Sequence, residues 1–200
     1  MTTQLWLIRH GEPAEEFRGR CYGSFDVGLS EIGRAQMAKI ARYLESERAA
    51  AIYASPRLRT VHSARILASG LQRPIEIVPD LREINFGDFE GLSYDDIAAR
   101  YPDLYRQWME SPTEVHFPNG ECEAEVRERV LRAFETICRA REGQTAVIVS
   151  HSGVIRIIIA WALRMPHESI FRLSQGHAAV NLLSLHDGFP CVDLLNYRLP

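Results

Sequence analysis

The stretch Gln4-Leu5-Trp6-Leu7-Ile8-Arg9-His10-Gly11-Glu12 joins a short apolar run to a polar, glycine-containing turn. Five residues are too few for a helix, so the run reads as a buried strand that delivers Arg9 and His10 at its end. The same junction recurs three times. Ala51 to Ala54 is followed by Ser55-Pro56-Arg57-Leu58-Arg59-Thr60, Ile75 to Val78 by Pro79-Asp80-Leu81-Arg82-Glu83, and Thr145 to Val149 by Ser150-His151-Ser152-Gly153.

Helical periodicity fills the intervals. Ser30 is a suitable N-cap for a helix in which Met37, Ile40, Ala41 and Leu44 recur at i, i+3, i+4 and i+7. From about Arg57 to Gly70, Leu58, Val61, Ala64, Leu67 and Ala68 share one side, with Gly70 as a stop signal. Around Glu121 to Arg141, Val126, Val130, Ala133, Phe134 and Ile137 share a face, and Val154 to Leu163 reads as a buried helix. Two last strands, Ala179 to Leu185 and Cys191 to Leu195, are joined by a His-Asp-Gly turn. Apolar strands alternating with helices predict an α/β domain with a largely parallel sheet. Asp88 to Glu121, polar and aromatic with Pro102, Pro112 and Pro118, breaks that rhythm and reads as a helical insertion walling one side of a site.

Composition narrows the function. The 200 residues carry a net charge of -3, are 46% hydrophobic and 24% charged, and suit one folded domain over 1–200. Mild acidity argues against a nucleic-acid partner. Lys39 is the only lysine among 23 basic residues, and arginine forks suit planar anions. No signal peptide or membrane span is expected, because Arg9 and Arg156 interrupt the apolar runs. Cys21, Cys122, Cys138 and Cys191 are scattered without zinc spacing, which predicts reduced thiols in a cytoplasmic protein and no metal.

Ligands of open α/β sheets bind beyond the carboxyl ends of the strands. Here those ends supply two histidines, several arginines and a glutamate. Phosphoryl transfer uses this set. Arginine forks hold phosphate oxygens, a neutral histidine is a nucleophile near pH 7, and a carboxyl group with a raised pKa can protonate an alkoxide and then activate water.

The motifs LIRHGEP, ASPRLRT, LREINFGDFEG and VSHSGVIR resemble, in order and spacing along the whole chain, the histidine phosphatase superfamily, also called phosphoglycerate mutase-like. The resemblance implies a three-layer fold with helices on both faces of the sheet and a phosphohistidine on His10. Arg9, Arg59 and His151 would complete the phosphate pocket, with Glu83 as proton donor. The segment Arg20-Cys21-Tyr22-Gly23-Ser24 matches a loop that lies over substrate in relatives, which makes Tyr22 and Gly23 substrate-binding candidates, Gly23 by letting backbone approach the ligand. Ser152 replaces a common glycine and adds a hydroxyl to the pocket. The expected reaction is hydrolysis of a small phosphorylated metabolite without a cofactor. RCYGSFDVGL and FGDFEG most resemble members assigned as α-ribazole phosphatases, which remove a phosphate late in cobalamin assembly. A mutase and a non-catalytic binding module of the same fold are the alternatives, and a homodimer is the default assembly.

Glu16 stands where the mutase pattern often has Asn, and would repel phosphate unless it faces solvent or pairs with Arg18 or Arg20. His62 reads equally as structural or substrate-contacting, and His177 is undecided. His116, Cys122 and Glu123 read as a polar loop entering a helix, His167 as a cap or surface residue, and Tyr94, Tyr101, Tyr105 and Trp108 as packing of the insertion.

Overall fold

The computed structural model describes residues 1–200. The strands are β1 (Thr2–Arg9), β2 (Ala49–Ala54), β3 (Ile75–Ile77), β4 (Thr145–Ser150), β5 (Val180–His186) and β6 (Phe189–Tyr197). The helices are α1 (Glu31–Tyr43), α2 (Leu58–Leu71), α3 (Tyr94–Arg100), α4 (Pro102–Glu110), α5 (Glu123–Ala140) and α6 (Ser152–Ala162). One six-stranded sheet has the order β3-β2-β4-β1-β5-β6. The first four strands are parallel, whereas β5 runs antiparallel to both β1 and β6. The sheet is therefore mixed, parallel except for a terminal hairpin. Asp187 and Gly188 both have positive φ at that hairpin's turn, as a two-residue connection requires.

Successive side chains of a strand point to opposite faces, and β1 shows it. Leu5 and Leu7 pack with Val126, Val130 and Phe134 of α5 and Ile155 and Ile158 of α6. Trp6 and Ile8 pack with Met37 and Ile40 of α1 and Ala64 and Leu67 of α2. The result is three layers, with β4 buried on both faces.

Local chemistry sets the helix ends. The Ser30 hydroxyl accepts the Gly33 N–H at 3.0 Å and starts α1. Ser93 and Asp96 form a capping box on α3, and Pro102 occupies the first turn of α4. The expected stop at Gly70 is not where α2 ends. The helix runs on to Leu71 and closes on Gln72 in the left-handed region. A Cβ on Gly70 would lie 3.3 Å from Ala41 Cβ, so this glycine serves α1–α2 packing instead.

The stretch 88–121 carries α3, α4 and a core of its own. Phe89, fully buried, lies 5.0 Å from Tyr101, 5.5 Å from Phe117 and 5.9 Å from Trp108, ring centre to ring centre. Five buried residues hold this lobe, against 23 and 16 on the faces of the sheet. A lobe so small depends on its central ring. Phe89→Ala should cost roughly 3–5 kcal/mol, read as a lowered denaturation midpoint, with Trp108 fluorescence reporting the loosened lobe.

Candidate active site

The sheet register brings the two histidines together. Arg9 of β1 pairs with Ser150 of β4, and the His10 N–H donates to Ser150 O at 3.0 Å. His10 and His151 consequently meet edge to face, with ring centroids 5.3 Å apart. Ser55 continues β2 beside them, its N–H donating to Val149 O.

Each ring is oriented by one neighbour. Gly11 O can only accept, so the 2.8 Å contact from His10 Nδ1 places that ring's proton on Nδ1 and the lone pair on Nε2. Ser55 Oγ lies 2.7 Å from His151 Nε2. With the hydroxyl donating, the His151 proton sits on Nδ1, which is buried and has no protein partner. Burial, reinforced by the charges of Arg59 and Arg9, holds both histidines well below the usual imidazole range. They are neutral at pH 7.

Arg59 is fully buried at the start of α2. Its Nη1 donates to Phe25 O and its Nη2 to Gly23 O, each at 2.8 Å, and the guanidinium lies 5.2 Å from the centre of the Tyr22 ring. Desolvation lowers its pKa to about 10, which leaves it charged at neutral pH. Arg9 donates from Nη1 to Gln175 O at 2.5 Å. The Nε of each arginine is buried and unpartnered. An unsatisfied buried donor costs about 1–3 kcal/mol.

Glu83, 9% exposed, follows a 3-10 turn over Pro79–Leu81. Its Oε2 accepts the Gly153 N–H at 3.2 Å and lies 3.5 Å from Ser152 Oγ, and its Oε1 accepts the Ile84 N–H. Arg129 of α5 steadies the loop by donating to Asp80 O, Arg82 O and Glu83 O and to both Glu121 oxygens. Burial works to raise the Glu121 pKa, but hydrogen bonds from Arg129 and the Asn85 N–H outweigh it and hold Glu121 below the usual range.

His10, Arg9, Arg59, Glu83, His151, Tyr22 and Ser152 thus gather at one edge, as read from the sequence. Gly23 differs in role. A Cβ there would sit 1.8 Å from Ile84 O, so its close approach is to protein backbone rather than to ligand. Its N–H is held by the Glu90 carboxylate. Glu16 is exposed, and it is Glu12 that pairs with Arg18. His177, left open by the sequence, has its ring centre 5.6 Å from that of His10 and its pKa lowered by burial to about 4. His62 lies half-buried beside Gly28. His167 is only partly exposed, because its ring contacts the carboxylate of Glu123, which is 5% exposed. Sequence reasoning missed Ser55, Glu90 and Arg129. Two of them had a signal, Ser55 in its place directly after an apolar strand and Glu90 in its place within FGDFEG.

Fold and site together define an α/β protein whose strand ends bring two arginines, two neutral histidines and a carboxylate to one edge of the sheet. The histidine phosphatase superfamily (branch 1) matches residues 5–198, and the chain belongs to it. The bifunctional protein Rv2228c of Mycobacterium tuberculosis is 33% identical over 97% of this chain and 54% of its own length, so the chain spans about half of that relative. The metal-independent phosphoserine phosphatase of Arabidopsis thaliana is 32% identical over 92% of this chain and 77% of its own. The crystal structure of a putative α-ribazole-5′-P phosphatase from Escherichia coli superposes with a TM-score of 0.91 at 28% identity, covering 98% of this chain and 97% of that one.

The geometry around Gly153 and the buried histidines can be tested directly. A Cβ on Gly153 would lie 2.5 Å from Glu83 Oε1, so Gly153→Ala should displace the carboxylate and cut turnover at least about tenfold while circular dichroism stays native. His10, His151 and His177 titrate below their unfolded value near 6.5, so the unfolded chain binds more protons below that pH. Their contribution is complete above about pH 6.5 and is lost as pH falls. Glu123, raised by burial to about 7, opposes them below that value. His62 and His167 are lowered too, so with five histidines against one carboxyl the melting temperature should fall from pH 7 to pH 5, and less steeply in His151→Asn.

Proposed function

We propose that this chain is a phosphomonoesterase that needs no metal and works through a phosphohistidine on His10. The observation that supports it is a neutral imidazole, His10, with the His151 ring 5.3 Å away and the charges of Arg59 and Arg9 acting on it, while Arg9 Nε, Arg59 Nε and His151 Nδ1 are buried without a protein partner. They match the charge that spreads over the oxygens of a transferring phosphoryl group. Two guanidiniums in the same pocket repel a cation.

In the first step His10 Nε2 attacks phosphorus. The N–P bond forms as the P–O bond to the alcohol breaks, and the Glu83 proton passes to the departing oxygen. In the second step Glu83 takes a proton from water, the water oxygen bonds to phosphorus, the N–P bond breaks and phosphate leaves. Arg9, Arg59 and His151 hold the phosphoryl oxygens throughout, and Tyr22 and Ser152 lie at the rim. The substrate class is a small phosphorylated metabolite. Similarity to the Escherichia coli α-ribazole-5′-P phosphatase makes α-ribazole 5′-phosphate the first candidate, and the Arabidopsis relative makes phosphoserine the second.

His10→Ala should abolish both turnover and phosphoenzyme labelling, and normal turnover in it would overturn the nucleophile assignment. Arg59→Lys should lose roughly 100-fold or more, because a point charge cannot replace the fork. Glu83→Gln should hurt alkyl phosphates far more than p-nitrophenyl phosphate, whose leaving group hardly needs a proton. The wild-type rate should not change with EDTA. Isomerisation of 3-phosphoglycerate with a bisphosphate primer, without phosphate release, would instead identify a mutase.

A further inference from the structure

Glu83 also lines an apolar cavity of about 100 Å³ that Arg59 does not reach. Its lining includes Glu83 together with Ser152 and Gly153, the two residues that contact the Glu83 carboxylate. Aromatic residues from two parts of the chain make much of the rest: Phe86, Trp108 and Phe117 from the insertion and its flanks, and Phe171 from the turn after α6. Arg156 of α6 also lines it. That guanidinium is half-buried, lies 5.3 Å from the centre of the Phe171 ring and is anchored only through Nε, which donates to Leu173 O at 2.7 Å. Its two terminal nitrogens make neither a hydrogen bond nor an ion pair with protein.

A cavity that touches the proton donor must hold the part of the substrate that the proton reaches. We infer that it is the subsite for the departing alcohol, and that it selects phosphate monoesters of compact apolar or aromatic alcohols bearing one hydrogen-bond acceptor for Arg156. The inference rests on the phosphomonoesterase reading, adds the leaving-group class to it and sets that class against the two substrates that the relatives suggest. Size sets one limit: apolar cavities of about 150 Å³ bind benzene, so this smaller one takes a short branched chain or most of a single ring, and a fused multi-ring body stays largely outside. Lining chemistry sets the other. Glu123 is the other carboxyl in the lining and is taken up by His167, so an ammonium or several hydroxyl groups would lose their hydration against phenyl and indole faces with few free partners in return. Arg156 offers two N–H groups in a fork, enough for one carbonyl or carboxylate.

Alkyl esters of similar leaving-group acidity test this, because their rates then report fit rather than chemistry. The probes are benzyl, para-acetylbenzyl and ethyl phosphate, with O-phosphoserine as the small zwitterion. Benzyl phosphate should exceed O-phosphoserine in kcat/KM by about tenfold or more, in the range that a fitted apolar pocket provides. The acetyl group should add a further gain, carried by KM. Arg156→Met should bring the ratio of para-acetylbenzyl to benzyl phosphate towards one, and Phe171→Ala, at a side chain already 46% exposed, should lower the ratio of benzyl to ethyl phosphate. If O-phosphoserine is hydrolysed as well as benzyl phosphate, or if Arg156→Met leaves the acetyl ratio intact, the subsite is wrong while labelled His10 keeps the phosphatase reading. If no ester is hydrolysed and His10 is not labelled, the phosphatase reading itself fails.

Discussion

Arg59 is a full positive charge taken out of water with no carboxylate against it. Moving an ion from water into protein costs several kcal/mol unless other groups replace its hydration. Here the replacements are two carbonyl oxygens, those of Gly23 and Phe25, and the face of Tyr22. The choice has a chemical consequence. A carboxylate would neutralise the guanidinium and compete with any anion that approached it. Carbonyl dipoles stabilise the charge without cancelling it, so Arg59 stays cationic and its Nε stays free. The cost moves to the loop that carries those carbonyls, which must itself be held. Glu90 holds it by accepting the N–H groups of Gly23, Ser24 and Phe86 with one carboxylate. One buried cation therefore requires a buried-side anion in the insertion, and the small lobe is tied to the sheet for electrostatic reasons as well as apolar ones.

The other side of the pocket is held from the opposite layer. Arg129 projects from α5 into a nest of three carbonyls and ends on Glu121, which also accepts from the Asn85 N–H and Arg82. Ser150, the last residue of β4, donates to Leu81 O at 2.8 Å. The Glu83 loop is thus clamped between a sheet edge and a helix, and Gly153 lets the next helix close on it. The histidines come from the sheet, the cationic fork from α2 and the carboxylate from a loop under α5. Relative placement of three such sources is as good as the packing of the two cores between them, both of which are built from close-packed, fully buried side chains.

This division explains what could be read from the sequence. A strand that is buried on both faces must be apolar along its length, and a residue that reaches a pocket must follow it, so Arg9, His10 and His151 stand out at boundaries that periodicity marks. The parallel part of the sheet was legible for the same reason. The antiparallel joining of β5 to β1 was not, since apolar strands look alike whichever way they run. Supporting groups were harder still. Glu90 and Arg129 sit in polar stretches where charged side chains are common, and only the fold shows that their neighbours are backbone N–H and carbonyl groups. Gly23 shows the ambiguity of glycine: the need for close approach was visible, but its partner, the Ile84 carbonyl, lies about sixty residues away in the chain. His167 misled because Pro166 suggests an exposed turn, whereas α5 brings Glu123 against it.

Net charge is the last quantity that the site reinterprets. A value of -3 is a poor start for the proposed anion pocket. Yet the surface charge is screened within about 8 Å at physiological salt, while Arg9 and Arg59 act in a desolvated pocket where fields fall off slowly. The same burial that sustains those fields discharges His10 and His151, so cations and neutral imidazoles share one pocket without titrating together. Arginine keeps its proton under that pressure and histidine does not, because their ordinary pKa values lie about six units apart. A lysine in place of Arg59 would start closer to neutrality and be pushed further, which is a physical reason for guanidinium here that is independent of any preference for arginine across the chain.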